Sequence, residues 1–271
     1  MRSTVGRSIV LLFMLAVCIL WVHCGKDKSS GPDDKVSNTD FVAKESFRFA
    51  VDAEDHTGLS LEGINGNVTI TGLSGADSVI VAGEKRVGSE SMQDAEEHLQ
   101  DLQVNVWGVQ GVVFVKTTQP DQTQGRAYVV DYDITLPKSL QVLVINVNGA
   151  VTIDSINSFI SVQNVNGPVT LEEIFGSVSV QLVNGQIQAE VTLPQAGLIT
   201  MSAVNGGIEL AVPQNTSAEF SASVENGIIS MSNLVLQDLR STPNSLTGTL
   251  GDGQGTISLT TVNGSISVWG F

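Results

Sequence analysis

Past residue 24 the 271-residue chain has no cysteine. Cys18 and Cys24 are its only two, so the body of the protein has no disulfide framework, thiolate metal cage or cysteine nucleophile. Charge is scarce as well: Asp, Glu, Lys and Arg make up 15% of the residues, against roughly 25% in a usual soluble domain. Basic residues are the scarcer sign, at 13 against 28 acidic, and from residue 139 onward Arg240 is the one basic residue in 133. A formal charge of −15 repels a phosphate backbone, which is held mainly through Lys and Arg, and this excludes nucleic acid as a partner. Aromatics are few, at 5%. Disorder is excluded too, because it needs low hydrophobicity and high charge, whereas 42% of this chain is hydrophobic. Uncharged Ser, Thr, Asn and Gln separate the many Val, Ile and Leu residues, which is how an all-β chain reads.

Residues 1–23 read as a secretory signal. Arg2 and Arg7 precede the apolar run Ile9 to Val22, whose 14 residues fall short of the ~20 needed to span a bilayer. Cys24 follows, then a polar tether through residue 40 with no hydrophobic period. A Cys at the junction of signal and tether resembles a bacterial lipoprotein, which implies lipidation of Cys24 and anchoring to a membrane in the cell envelope. Cys18, after Leu15-Ala16-Val17, is the rival junction, but it would leave an apolar Ile19-Leu20-Trp21-Val22 at the start of the tether. Removal of residues 1–23 leaves the mature chain 17 units negative, which favours solubility.

The strongest pattern is a repeat. Asn-Gly recurs at Asn65-Gly66, Asn148-Gly149, Asn166-Gly167, Asn184-Gly185, Asn205-Gly206, Asn226-Gly227 and Asn263-Gly264, and the last six are spaced by 18, 18, 21, 21 and 37 residues. Counted from each Asn, positions −6, −4, −1, +3 and +5 are apolar in 34 of 35 cases, Glu225 being the exception. Steps of two on either side describe two short strands, each with one buried face. The parity changes between them, so the chain turns a corner there. Asn-Gly suits a corner, because Asn tolerates left-handed backbone and Gly meets no steric penalty in it. A two-residue hairpin would also use Asn-Gly. The near-constant period favours a β-solenoid, in which equivalent asparagines align and bond along the axis as a ladder. A single-stranded, right-handed β-helix-like form is the expectation, although the period itself does not fix the hand. Residues 232–256 then hold either a degenerate coil or a loop excursion.

Residues 41–138 are more mixed. Phe47, Phe49 and Val51 alternate as a strand, and Met92, Ala95, Leu99 and Leu102 fall at helical spacing, with Ser91 and Asp94 able to cap the helix. Tyr128 to Leu136 alternate as a strand up to Pro137 and lead into the repeats at 139–271. The order Gly63-Ile64-Asn65-Gly66-Asn67-Val68-Thr69-Ile70, then Val130-Asp131-Tyr132-Asp133-Ile134-Thr135-Leu136-Pro137, then the Val-Asn-Gly repeats, resembles the bacterial putative-adhesin domain family. The resemblance spans nearly all of 41–271. It implies a solenoid-like domain displayed at the envelope.

Chemistry is sparse. His56 follows Glu54-Asp55, and His98 shares a helix face with Asp94 and Asp101, but neither set supplies the three or four ligands of a zinc site. Asp131 and Asp133 share a strand face, as solvated carboxylates commonly do. At +6 in three successive copies stand Asp154, Glu172 and Glu190, which a solenoid would stack about 4.8 Å apart. Such a column is tolerable as a solvated edge or when bridged by a cation, so weak Ca²⁺ binding is the one cofactor expectation. The sequence therefore points to a non-enzymatic envelope lipoprotein that binds a protein or glycan ligand. A carbohydrate-active protein and an envelope-stress accessory contacting a membrane partner are the alternatives.

Overall fold

The computed structural model of the chain describes residues 39–271. The expected signal, the lipidation site at Cys24 and the tether up to residue 38 lie outside these residues. The described part is nearly all β, in two open sheets of ten and eleven strands. Each coil gives one strand to either sheet. Along the stack the pairs are Val112–Thr118 with Ala127–Pro137, Gly58–Glu62 with Val68–Leu73, Gln141–Asn148 with Val151–Asp154, and Ile160–Asn166 with Val169–Phe175. Then come Val178–Asn184 with Ile187–Thr192, Leu198–Asn205 with Ile208–Val212, Gly255–Asn263 with Ile266–Gly270, and Ala218–Asn226 with Ile229–Ser232. Neighbouring coils pair in parallel and in register, as Val162 does with Val144 and Val180.

This order is not the order of the sequence. The Asn65 coil lies between the coil of residues 112–137 and that of Asn148, and the Asn263 coil lies between those of Asn205 and Asn226. The first and last coils of the chain are thus paired on both sides, leaving neither as an open edge. The gap of 37 residues is a hairpin, Leu236–Thr242 with Ser245–Leu250, which extends one sheet antiparallel to Ala218–Asn226. At the other end Phe41–Asp52 and Ser78–Ser89 extend the second sheet antiparallel to Ala127–Pro137.

One apolar core runs the length of the stack and takes in both the 41–138 part and the repeats. Positions −6, −4, +3 and +5 supply it: Ile160, Val162, Val169 and Leu171 are each at most 1% exposed. The −1 position does not. The strand keeps its alternation to −2 before it turns, so −1 faces outward, and Val147, Val165, Val183 and Val204 are 37 to 42% exposed. What the spacing reads as a buried site is an external valine row. The inward −2 positions include Asn146 and Asn164, each 2% exposed. Asn164 Nδ2 donates to the carbonyls of Gly149 and Gly167, both at 3.0 Å, so the inner Asn answers corner carbonyls that would otherwise be buried without a partner.

The helix spans Met92–His98, and Ser91 Oγ accepts from the Asp94 N–H at its start. Arg126 fastens it to the sheet by donating through Nε (2.7 Å) and Nη2 (2.6 Å) to the two oxygens of Asp94. Together with the Ser89 hydroxyl, that guanidinium holds the Asp94 carboxyl well below its usual range.

Tyr132, 3% exposed, lies edge-on to Phe47 and shares a 2.7 Å hydrogen bond with Thr117 Oγ1. Burial pushes its phenol up from 10.0 to about 12. The unfolded chain therefore ionises first: the stabilisation is whole below the unfolded value and is lost as pH rises through the folded one. Over about two pH units the loss is of order 2 kcal/mol. Tyr132→Phe should remove this share, so its urea midpoint should fall less than the wild type's between about pH 9 and about pH 12. Equal falls in both proteins would assign the alkaline loss to other groups.

Candidate binding surface

The corners build the most regular feature. Asn226 Nδ2 donates to Asn263 Oδ1 (3.0 Å), Asn263 to Asn205 (2.9 Å), and Asn205 to Asn184, Asn184 to Asn166 and Asn166 to Asn148 (2.8 Å each). Asn148 donates to Asn65 (2.7 Å), and the run ends where Asn65 Nδ2 meets the Tyr128 carbonyl at 3.1 Å. A backbone run lies beside it, in which Gly66, Gly149, Gly167, Gly185, Gly206 and Gly264 each donate an N–H to the Asn carbonyl of the next coil, at 2.8 to 3.0 Å. Five of these corner glycines, Gly66, Gly149, Gly167, Gly185 and Gly264, have φ between +122° and +158°. A slip of one residue would break every link, so the ladder fixes the register that the core alone favours.

Registered coils put like positions in rows on the outer faces. On the sheet that follows the corners, the +4 row reads Thr69, Thr152, Thr170, Gln188, Glu209, Ser267 and Ser230. The +6 row holds the acidic column, and there the structure departs from simple stacking. Asp154 pairs with Glu172, but a bulge follows: Leu171 faces Ala189 and Ile174 faces Val191, so Glu172 and Glu173 together oppose Glu190. Glu173 takes φ +50°, and Ser155 Oγ donates to both Asp154 Oδ1 and Glu173 Oε2 at 3.0 Å. Among the described residues no group of three or more His, Cys, Asp or Glu side chains is placed to hold a metal ion. The column of Asp154, Glu172 and Glu190, expected to bind Ca²⁺ weakly, is therefore unevenly spaced: Asp154 and Glu172 are paired directly, and the bulge sets two carboxylates against Glu190.

The same row continues past Glu190 to Ala211 and then Trp269, which sits six residues after Asn263. Ala211 points outward yet is only 4% exposed. It forms part of a groove of about 250 Å³ that Trp269 and Phe271 border on one side and Glu172, Gln188 and Glu190 on the other. Phe271 is 52% exposed. Gln186 and Gln188 each donate to one oxygen of Glu209, at 2.6 and 3.0 Å, which holds that carboxylate flat on the sheet. Sequence reasoning missed Trp269, although the +6 offset that singled out the carboxylates also reaches it.

With this geometry in hand, comparison with known proteins is decisive on family. The family model described as Toastrack DUF4097 matches residues 51–269. The chain belongs to that family. Two crystal structures are similar to this Toastrack chain at 12% identity. One, a "putative cell adhesion protein" from Clostridium sporogenes, has a TM-score of 0.48, with 84% of this chain and 100% of that chain covered. The other, a "putative adhesin" from Bacteroides fragilis, has a TM-score of 0.42, with 83% and 98% covered. No curated protein matches the chain.

Most of the remaining candidate residues of the Toastrack chain have local partners. His56 Nδ1 lies 2.9 Å from the Asp52 carbonyl oxygen, and His98 Nδ1 lies 2.6 Å from Asp101 Oδ2. Asp131 accepts from the Asn67 N–H (2.8 Å) and pairs with Arg86 (2.5 Å), so it ties the first corner down, whereas Asp133 is exposed. Arg240 lines a cleft of about 820 Å³ under the hairpin with Glu219, Ser221, Asp238, Thr247 and Thr249. Among the described residues no helix is long and apolar enough to cross a membrane.

Proposed function

We propose that this Toastrack chain is an exported cell-envelope lipoprotein, anchored through Cys24, whose solenoid is a non-enzymatic surface binding module, and that its Trp269 groove takes a saccharide. The groove carries the reading. An indole offers a flat apolar platform, and the acceptors and amides around it suit a ring that is apolar on its C–H face and hydroxylated at its rim. The carboxylates come one per coil from a single one-sided face. Glycoside cleavage needs a pair set astride the bond, so this arrangement supports binding rather than catalysis.

A glycan array probed with the full mature protein tests the reading. Signals for a defined set of neutral or amino sugars should appear with the wild type and vanish in both Trp269→Ala and Glu190→Gln, with melting temperatures of the latter unchanged. An array silent with the wild type, or signals indifferent to both substitutions, would overturn it. Anchoring has its own test: fatty-acid labelling should mark the wild type and miss Cys24→Ser.

A further inference from the structure

The ladder has a direction and therefore a free end. In six of the seven corners the Asn side chain is held at both Nδ2 and Oδ1, and the following Gly N–H is spent on the next coil's Asn carbonyl. Asn226 is the seventh. Its coil ends the stack in the sheet where Ile229–Ser232 is the outermost strand. Among the described residues, nothing donates to Asn226 Oδ1 and the Gly227 N–H has no acceptor. Glu225, the one polar residue at a −1 position, directly precedes Asn226, and its carbonyl accepts from Asn244 Nδ2 of the hairpin turn at 3.4 Å.

Asn-Gly is the dipeptide most open to attack on its own side chain, since Gly puts no Cβ in the way. The reaction needs a peptide nitrogen free to lose its proton and a side chain free to swing towards it. Six corners withhold both.

We propose that Asn226 is a site of spontaneous covalent modification, deamidating in the folded protein while the other six asparagines are protected. The Gly227 nitrogen gives its proton to solvent base and bonds to Asn226 Cγ. The Cγ–Nδ2 bond breaks, Nδ2 takes a proton and leaves as ammonia, and a five-membered succinimide remains. Water then adds to either ring carbonyl and opens it to Asp or to isoaspartate. The net change is one water consumed and one ammonia released. The product carboxylate can only accept, so the bond to Asn263 Oδ1 is lost and the cap gains a negative charge beside Glu225.

The test is a site-resolved mass map of the full mature protein after incubation at mildly alkaline pH, folded and in urea, with isoaspartate identified by enzymatic methylation. Folded protein should convert Asn226 at least roughly tenfold faster than any other Asn-Gly, because the others react only on local opening. In urea all seven should convert at similar rates. Asn226→Gln should abolish the early isoaspartate signal with the fold intact by circular dichroism. Conversion of Asn184 or Asn166 as fast as Asn226 in the folded state, or none at Asn226, would overturn the proposal.

Discussion

Gly185→Val is expected to cost at least about 3 kcal/mol, from left-handed strain plus displaced neighbours, and to lower the melting temperature by roughly 10 °C. Gly185 sits mid-stack at φ +143°, and a Cβ there would stand 2.5 Å from the Gly167 carbonyl oxygen. That oxygen is backbone of the neighbouring coil, held by its own ladder, so it has nowhere to go. Gly253 is the control. It also has positive φ (+69°), but a Cβ there would meet only side-chain atoms, Glu219 Oε1 at 2.6 Å and Thr249 Cγ2 at 2.9 Å, which can rotate away. Gly253→Val should therefore cost only the strain, about 1–2 kcal/mol. Calorimetry on the two variants checks the difference, and equal costs would remove the corner from the account.

Leu171→Ala should cost about 2–5 kcal/mol, since Leu171 is 1% exposed at the centre of the continuous core and rigid strands on both sides limit collapse of the cavity. Val165→Ser is its counterpart and should change stability by about 0.5 kcal/mol or less, because that valine is 37% exposed on the outer face. Both positions belong to the same apolar template, so urea titration separates the core rows from the outer one. Comparable losses would place −1 in the core after all.

These two comparisons mark how far the sequence could be read. Period-two spacing around Ile160, Val162, Val169 and Leu171 reports burial directly, and Asn-Gly reports a corner because few other dipeptides tolerate one. The −1 valine misleads because hydrophobicity is read from chemistry, and a sheet edge beside a corner carries apolar residues on its outer side too. Coil order at the ends was not legible for a different reason. The corners at Asn205, Asn226 and Asn263 carry nearly the same local pattern, and parallel pairing depends on which edge is open when the last strand arrives, which no local signal encodes. The bulge at Glu172-Glu173 is likewise a matter of register between coils. Trp269 was within reach, since its +6 offset from Asn263 equals that of Asp154, Glu172 and Glu190 from their own asparagines.

The stack order is the claim on which the ladder, the groove and the free end at Asn226 all depend. In the structure Ser202 faces Thr260 on the adjoining strand, and Ser223 lies one strand further on, opposite Thr260. Cysteine pairs in a background with Cys18 and Cys24 replaced, treated with a thiol crosslinker reaching one strand spacing of about 5 Å, read that order directly. Ser202→Cys with Thr260→Cys should crosslink within the folded monomer, and Ser202→Cys with Ser223→Cys should not. The reverse result would mean that the coils stack in sequence order, and it would contradict the account.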